Sequence, residues 1–529
     1  MKIDTMKSKA YFVGGGIASM AGAVYLIKDG KFQGKDITIF EAKGVMGGSL
    51  DAKNNYSDDA YVMTGHRILA KNAFECTYDL LSHIPTVNDK NLNVKKEIDD
   101  FNKKFKTYTK ARLVDNGKVI DSHSLGLSWR DKLRLIKVFF RKESSMEGER
   151  IDECFDPLFF DTNFWLEFST VFAFQPWHSL VEFRRYIYRS FHALSFPDTM
   201  EMAQTTPFSQ HDTIVLPVLK WLKDRGVNFE TETIITDLGV EINNNEKIVK
   251  EIYFIKNKKE GKIVVNDNDL VFATLGSMTT NASFGSMNSS PKLMEERSSI
   301  SWNFWENIAK IDPSFGKPKV FDDHAKKSRW ESFTITFKNE NFLKLMEELT
   351  GNKAGTSGGT TIRSSNWIIS IVIPHQPHFV NQREDLSVCW GYCLRPNEKG
   401  NFVKKEMSKC SGEEILIELI GHLGFNKQKD EIIKSAVCIP CILPYITSQF
   451  SPREKGDRPL VIPSGSKNLA FLGQFCEIPE DIVFTVEYSI RSAQTAVYSL
   501  LGLKKKVVPI YKGHHYPKNI YRVIKTLFR

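Results

Sequence analysis

Hydrophobic and polar positions along the chain predict an α/β fold. Near the N-terminus, the apolar run AYFV leads through three glycines into IASMAGAVYLIK, which has helical spacing, and KDITIF predicts a second strand. A strand, a helix and a further strand in this order form a βαβ unit. Residues 468–502 predict a last strand, a turn and a long helix. Both ends of the chain are therefore expected to contribute to a Rossmann-like layer.

The middle of the chain mixes helical and strand patterns. Residues 163–195 place Phe and Trp at spacings of three and four, which predicts buried helices and would also suit the wall of an apolar pocket. TIVLPVLKWLKDRG predicts a helix, and ESFTITF and NWIISIVI predict strands. ARLVDNGKVI predicts a hairpin or surface meander, and residues 412–425 predict an amphipathic helix. We find no repeat and no low-complexity linker, so we expect interleaved domains.

Composition narrows the class of protein. The chain has 529 residues, 41% of them hydrophobic and 26% charged, which suffices for two or three packed domains. The net charge of +9 is concentrated in residues 504–529, which are rich in lysine and arginine and contain no acidic residue. Because the remainder is close to neutral, a protein that binds nucleic acid over a broad basic surface is excluded.

The cysteines indicate a reducing setting. Eight cysteines are scattered along a chain that shows neither a signal peptide nor an apolar run of about 18 residues, so a cytoplasmic location is predicted. Cys438 and Cys441 form a CxxC motif, but no second pair and no histidine follow at metal-binding spacing. A pair of buried small side chains is favoured over a redox or zinc site, and no metal is expected.

The glycine-rich turn after the first strand is typical of dinucleotide binding. Gly14 and Gly16, with Ala18 and Ser19, form GxGxxS between a strand and a helix, where the backbone can approach a pyrophosphate closely. Glu41 ends the second predicted strand, where a carboxylate can accept hydrogen bonds from ribose hydroxyls.

Further segments favour FAD over NAD. The turn GVMGGSL supplies Gly47, Gly48 and Ser49, and a glutamate followed by two glycines is more typical of FAD-binding folds. ATLGS is expected to pass beneath the flavin, and a helix N-terminus after GQFCEIPEDIVFT is expected to face the flavin ring. The remaining predicted cofactor residues are Thr64, Gly65, Arg67, Gly276, Ser277, Glu477, Phe484 and Thr485.

Blocks along nearly the whole chain resemble the oleate hydratase family, also called myosin-cross-reactive antigens. They include GGSLDA, AFQPWHSLVEFRRYI, NFWENIAKIDPSFGKPKVF, CIPCILPYITSQF and GQFCEIPEDIVFTVEYSIRSAQTAVY. The resemblance implies an FAD-binding enzyme that adds water to the cis double bond of a long-chain unsaturated fatty acid without net redox change. It also implies a homodimer whose C-terminal tail associates with membrane.

Two positions depart from the family pattern. The family's loop R-G-G-R-E-M, with a glutamate proposed to activate water, corresponds to TGHRIL at residues 64–69, so Ile68 stands at the carboxylate position. The family's tyrosine, proposed to protonate the alkene, precedes a segment like ESxILP, and here His211 stands in its place in SQHDTIVLP.

These substitutions leave three hypotheses open. In one, His211 is the acid, aided by Asp212, and His66 is the base, so hydration continues with different groups. In the second, the missing carboxylate no longer holds water, and loss of a neighbouring proton gives a shifted or trans double bond, which makes the protein an isomerase. In the third, the protein binds FAD and fatty acid without catalysis.

The resemblance also implies the remaining organisation. An FAD-binding domain is predicted from residues 1–90, 215–285 and 460–502, and a mixed α+β substrate domain from residues 91–214 and 286–459. The substrate carboxylate is expected near Thr447, Ser448 and Gln449. Residues 503–529 form a predicted basic amphipathic tail for peripheral membrane association, with Ile520, Val523, Ile524, Leu527 and Phe528 on one helical face.

Overall fold

The computed structural model describes residues 7–50, 52–57, 60–293 and 299–528. The strands are β1 (Ala10–Val13), β2 (Ile37–Phe40), β3 (Ala52–Ser57), β4 (Ala60–Met63), β5 (Leu69–Ala70), β6 (Leu113–Asp115), β7 (Lys118–Ile120), β8 (Ala203–Gln204), β9 (Asn228–Glu230), β10 (Thr233–Asn243), β11 (Glu246–Lys256), β12 (Lys259–Val264), β13 (Leu270–Thr274), β14 (Ser283–Phe284), β15 (Trp330–Phe337), β16 (Thr360–Ile362), β17 (Ile369–Val372), β18 (Ser387–Cys393), β19 (Ala436–Leu443) and β20 (Leu469–Leu472). The helices are α1 (Ile17–Lys28), α2 (Glu75–Leu81), α3 (Val94–Lys104), α4 (Trp129–Phe140), α5 (Ile151–Cys154), α6 (Asn163–Phe172), α7 (Leu180–Arg189), α8 (Leu216–Lys223), α9 (Ile300–Ala309), α10 (Lys319–Asp322), α11 (Ala325–Ser328), α12 (Asn341–Thr350), α13 (Gly412–Leu423), α14 (Lys429–Ser435), α15 (Val486–Leu500) and α16 (Pro517–Leu527).

One five-stranded sheet is parallel throughout and has the order β20-β13-β1-β2-β9. Three distant parts of the chain meet in it, because β1 and β2, then β9 and β13, and finally β20 come from separate segments. β1 is buried at every position, as expected for a parallel strand covered on both faces. α1 and α15 pack together beside this sheet, with the Tyr25 and Tyr498 rings 6.0 Å apart. The predicted βαβ unit is confirmed.

A second sheet has eight strands in the order β14-β19-β15-β18-β17-β16-β6-β7. Its neighbours are antiparallel except for β6 and β16. One face of β15 places Phe333, Ile335 and Phe337 in a hydrophobic core shared with α13. The predicted α/β fold class, with a Rossmann-like sheet, a mixed sheet and a helical C-terminal region, is confirmed.

The other face of β15 holds β4, which leads into the loop at residues 64–68. The amide of Tyr61 donates to the Thr336 hydroxyl at 3.1 Å, and the amide of Met63 donates to the Thr334 hydroxyl at 3.0 Å. Beyond the loop, β5 pairs with β8. Residues 64–68 therefore run between two anchored strands, which fixes where the loop can lie.

The helix predicted in TIVLPVLKWLKDRG begins with an irregular turn. A π-helical turn at His211–Val215 precedes α8, and the amide of Leu216 donates to the carbonyl of His211. Pro217 has no amide hydrogen, so the regular ladder of helical hydrogen bonds is interrupted here. Single π-helical turns often occur at functional sites.

Buried charges tie the segment before α16 to the body of the protein. The Glu75 carboxylate accepts hydrogen bonds from Arg189, Arg491 and the amide of Tyr511. Arg491 also donates to the carbonyl of Val508. Residues 507–511 are therefore part of the packed structure, and the exposed helix α16 begins beyond them. Within the described ranges, no helix has the length and apolar character needed to cross a membrane.

Candidate active site and cofactor cleft

A cleft opens at the carboxyl ends of β1, β2 and β13, where α/β sheets commonly bind ligands. It holds about 1400 Å³ of space between protein atoms, including its mouth. The predicted cofactor residues that line it are Gly14, Gly16, Ala18, Glu41, Gly47, Gly48, Ser49, Arg67, Gly276, Ser277, Phe484 and Thr485. The fold thus brings together residues from three distant parts of the sequence, 14–67, 276–277 and 484–485.

The N-terminus of α1 faces this cleft. Gly16 caps the helix without a side-chain hydrogen bond, and Ile17 and Ala18 line the cleft. The uncapped amides and the positive end of the helix dipole favour a negatively charged group. This end of the cleft fits a pyrophosphate.

Two close backbone approaches keep the cleft open for a ligand. The amide of Gly47 donates to the carbonyl of Gly15 at 3.0 Å, which brings the two glycine turns together. A Cβ on Gly48 would lie only 2.9 Å from the Cα of Gly16, and Gly48 has a φ of +59°. Glycine at position 48 is therefore required both by its dihedral angle and by the space around it.

Glu41 is held in position by main-chain donors. The amide of Gly15 donates to its Oε2 at 2.8 Å, and the amide of Lys43 donates to its Oε1 at 2.9 Å. Each carboxylate oxygen has a second lone pair. Glu41 can therefore still accept a hydrogen bond from a ribose hydroxyl.

Some predicted cofactor residues lie outside the cleft. Ser19 is buried, with its hydroxyl 3.4 Å from the Thr274 hydroxyl. Glu477 pairs with Arg185 at 2.7 Å and with Arg453 at 3.0 Å. The carboxylate of Glu477 is thus committed to these buried guanidinium groups, which the sequence pattern did not indicate.

An apolar cavity adjoins the cleft. It holds about 1360 Å³ of space between atoms, including its mouth, and α6 contributes Phe164, Phe168, Val171 and Phe172 to its wall. The aromatic stretch predicted as buried helix thus also lines a cavity. A wall of this composition suits a long acyl chain.

A small polar cavity lies against the loop after β4. It holds about 350 Å³ of space between atoms, including its mouth, which leaves room for a water molecule, and its wall includes Thr64, Gly65, His66, Gln210, His211 and His378. Among the described residues, the Thr64 hydroxyl, Gln210 Oε1 and His211 Nδ1 have no hydrogen-bond partner. Buried polar atoms without partners are rare, so these atoms are suited to hold a water molecule.

Two histidines in this cavity are neutral at pH 7. Burial and the neighbouring Arg67 charge lower the pKa of His66 to about 4. Burial and the His66 ring, 5.8 Å away, lower the pKa of His378 to about 3. His66 is therefore about as basic as an ordinary glutamate, whose pKa is about 4.3.

The third histidine has an acidic neighbour. His211 Nδ1 lies 3.6 Å from Asp212 Oδ1, and the amide of Val380 donates to Asp212 Oδ2 at 3.2 Å. Burial raises the pKa of Asp212, but the His211 ring and the Val380 amide outweigh burial and hold the pKa below its usual value. Asp212 is therefore ionised at neutral pH, and its Oδ1 faces the His211 ring.

Arg67 connects the three spaces. It lines the cofactor cleft, the apolar cavity and the polar cavity. Phe484, Thr485 and Val486, at the start of α15, line both the cleft and the apolar cavity. The cofactor cleft, the apolar cavity and the polar cavity therefore meet at the loop after β4.

The sequence model of the MCRA family matches residues 7–498. The chain belongs to the MCRA family. It is 37% identical to "Oleate hydratase" of Streptococcus pyogenes serotype M49 (strain NZ131), over 99% of this chain and 89% of that protein. It is 32% identical to "Linoleate hydratase" of Lactiplantibacillus plantarum, over 99% of both chains.

Solved structures support the fold of this MCRA-family chain. A putrescine oxidase structure aligns with a TM-score of 0.52 at 12% identity, covering 94% of this chain and 99% of its own. An oxidoreductase from Methanosarcina mazei aligns with a TM-score of 0.50 at 11% identity, covering 92% of this chain and 99% of its own. At such low identity they show the fold alone. The MCRA family binds FAD, so FAD is the cofactor of this chain, and the glycine-lined cleft fits it.

The position of the family's glutamate is apolar in both sequence and structure. Ile68 lines the apolar cavity and not the polar one. At the position where the family pattern has a carboxylate, the loop of this MCRA-family chain thus places a hydrocarbon side chain on the apolar cavity. His66, two residues earlier, lines both cavities.

The residues predicted to bind the substrate carboxylate form a buried 3-10 turn. The Thr447 hydroxyl donates to the Ser328 carbonyl at 2.8 Å, and the Gln449 amide nitrogen donates to the Ile446 carbonyl at 3.0 Å. The Ser448 hydroxyl has no partner among the described residues. None of these three residues lines the cofactor cleft or either cavity at the loop. Their role in binding the substrate carboxylate stays a prediction.

Sequence reasoning missed three side chains of the site. Gln210 and His378 line the polar cavity, and Glu167 lines the apolar one. His378 follows β17 and is far from His211 in sequence, so spacing carries no signal for it. Glu167 is a lone carboxyl in an aromatic helical stretch, and that contrast was a usable signal.

Proposed function

We propose that this protein hydrates a carbon–carbon double bond of a long-chain unsaturated free fatty acid, with FAD bound and no net redox change. The observation that carries the proposal is the meeting of the cofactor cleft, the apolar cavity and the polar cavity at Arg67. The names of the two curated relatives, oleate hydratase and linoleate hydratase, support the reaction class.

In the proposed reaction, His211 gives a proton to one alkene carbon. The ionised Asp212 stabilises the protonated ring before this step. A water held in the polar cavity adds through its oxygen to the other carbon, and His66 accepts a proton from that water. When bound, the flavin supplies an electron-rich ring face that stabilises positive charge developing on the alkene.

The two histidines that exchange protons with the substrate and the water both lie on the polar cavity. One proton leaves His211 and one arrives at His66, and both rings line the polar cavity. Return of the proton from His66 to His211 restores the starting state. Because the pKa of His66 is about 4, its proton is released readily at neutral pH.

Isomerisation is the second candidate, and Ile68 favours it. An apolar side chain beside the acyl cavity holds no water, so loss of a neighbouring proton would give a shifted or trans double bond. Incubation of the FAD-loaded protein with oleate in ¹⁸O-water separates the candidates by mass spectrometry. A labelled hydroxy acid supports hydration, an isomer of unchanged mass supports isomerisation, and unchanged oleate contradicts both.

Restoring a carboxylate in the loop should increase hydration. We expect Ile68→Glu to raise the ratio of hydroxy acid to isomer by about tenfold or more, because a carboxylate can orient water and accept its proton. The matched control is Ile68→Gln, which has nearly the same shape without the charge. An identical product ratio in both variants would contradict the assigned position of the loop.

We also propose peripheral association with an anionic membrane through two neighbouring helices. Tyr521 and Ile524 of α16 are 68% and 52% exposed, and Phe528, directly after the helix, is 62% exposed. On α4, Trp129, Leu133 and Phe140 follow one helical face and are 67%, 56% and 76% exposed. Lys132 of α4 lies 4.9 Å from the Phe528 ring, so the two apolar faces adjoin. The surrounding lysines and arginines favour anionic lipid.

This surface lies beside the acyl cavity. The Thr526 hydroxyl of α16 donates to the carbonyl of Ser195 at 3.3 Å, and Arg522 stacks 5.6 Å from the Phe196 ring, which lines the cavity. A fatty acid could thus pass from lipid to the cavity. A cytoplasmic location and a homodimer stay predictions.

Charging the exposed face of α16 should weaken vesicle binding. We expect Ile524→Glu to reduce sedimentation with phosphatidylglycerol vesicles by about tenfold, because it removes apolar burial and repels the lipid charge. Val264→Glu is the control, since Val264 is 64% exposed on β12. Equal binding of both variants would contradict the proposal, as would native binding that does not fall at high salt.

A further inference from the structure

Glu167 is a carboxyl group in the wall of the apolar acyl cavity. It lies in the middle of α6, among Phe164, Phe168 and Val171, which line the same cavity. Its exposed fraction is 2%, and within the described part of the chain neither carboxyl oxygen has a hydrogen-bond partner. A buried polar group without a hydrogen-bond partner destabilises the folded protein by about 1–3 kcal/mol unless a ligand or water pairs with it.

The charged groups around Glu167 do not neutralise it. Arg112, also buried, donates to the main-chain carbonyls of Gly359 and Glu167, not to the carboxyl group. Burial raises the pKa of Glu167 to about 7, while Arg112 and Ser122 lower it and Asp198 raises it. The carboxyl group therefore exists in both protonation states near neutral pH.

Several other polar groups along the cavity are already paired. The Tyr186 hydroxyl donates to the carbonyl of Val483 at 2.6 Å, and Arg189 pairs with Asp481 at 2.9 Å. Glu487 accepts hydrogen bonds from the amides of Cys76 and Thr77. Glu167 differs from them because, within the described part of the chain, neither of its carboxyl oxygens has a hydrogen-bond partner.

We propose that Glu167 binds a hydroxyl group on the acyl chain, so that the preferred substrate is a long-chain fatty acid carrying a hydroxyl as well as its double bond. This proposal rests on the proposed function. A hydroxyl both donates and accepts, so it pairs with the protonated and the ionised carboxyl alike. A plain methylene chain would leave the carboxyl unpaired, and an ionised head group would repel its charged form.

The recognised hydroxyl is distinct from the one that the reaction would add. Glu167 lines the apolar cavity and not the polar one, whereas His211 lines the polar cavity and His66 lines both. A fatty acid with one hydroxyl and one remaining double bond is what hydration of a diene leaves. The reaction that supplies this substrate would therefore be a hydration of one double bond in a polyunsaturated chain.

The test is a titration of the FAD-loaded protein with octadecenoic acid and with the same acid hydroxylated at different positions. We expect one hydroxylated isomer to bind about tenfold more tightly than the parent acid, the gain of a hydrogen bond to a buried carboxyl. Glu167→Leu should abolish this preference and tighten binding of the parent acid. Glu167→Gln, which keeps a donor and an acceptor, should retain most of the preference.

A pH series adds a second readout. When the parent acid binds, its methylene groups cover Glu167 and favour the neutral form of the carboxyl. The affinity of the native protein for the parent acid should therefore fall as the pH rises from 6 to 8. The fall should be smaller in Glu167→Leu. The proposal is overturned if no hydroxylated acid binds more tightly than the parent, or if the preference persists in Glu167→Leu. Failure of every acid to bind would overturn the proposed function as well.

Discussion

Replacing His211 with phenylalanine is expected to lower kcat for double-bond hydration by about 10²- to 10⁴-fold while FAD stays bound. A phenyl ring fills a similar volume but cannot give a proton to the alkene. His211 lines the polar cavity and not the cofactor cleft, so flavin content should not change. Product formation and flavin absorbance of the purified variant measure the two effects separately.

His83→Phe is the matched control. His83 also lies near an aspartate, with its ring nitrogen 3.9 Å from Asp79, but its side chain is 39% exposed and lies away from the three spaces. This variant should keep native kcat. If His211→Phe kept native kcat with full flavin, His211 would not be the acid, and a donor among the other groups of the polar cavity would have to be sought.

Replacing Gly48 with alanine is expected to weaken FAD binding by at least about hundredfold. The added Cβ would lie 2.9 Å from the Cα of Gly16, a main-chain atom that cannot move without displacing the start of α1. The positive φ of Gly48 adds backbone strain of about 1 kcal/mol or more. Both effects act at the start of α1, whose amides would hold the pyrophosphate, and flavin fluorescence titration of apoprotein measures the loss.

Gly44→Ala provides the comparison for that loss. Gly44 belongs to the same turn region, yet a Cβ built there meets no atom within 4 Å. Its variant should bind FAD as the native protein does. Full flavin occupancy in Gly48→Ala, or equal loss in both variants, would show that the close approach of the two glycine turns does not shape the cofactor cleft.

The cofactor cleft was largely predictable because backbone geometry restricts its residues. Gly14, Gly47, Gly48 and Gly276 all have positive φ angles, which glycine tolerates and other residues rarely adopt. Because these positions require glycine, they can be recognised from the sequence. Glu477 illustrates the limit, because its sequence context does not show that three buried arginines surround it.

The catalytic surroundings were predictable only in part. His66 and His211 stood out because they occupy positions where the family has other residues, and the structure places both on one polar cavity. His378 could not be found in this way, since a contact between distant segments brings it there. The lack of hydrogen-bond partners for the Glu167 carboxyl likewise results from packing, because a sequence does not reveal which buried oxygens lack partners.

The shared wall at the start of α15 has a consequence for how the protein keeps its flavin. Phe484, Thr485 and Val486 contact both the cofactor space and the acyl space, so a ligand that orders them for one space changes the free energy of filling the other. Thermodynamic reciprocity then requires that fatty acid alters flavin affinity by the same factor as flavin alters fatty acid affinity. When flavin is scarce, the fraction of the protein that carries FAD would therefore depend on the concentration of free fatty acid.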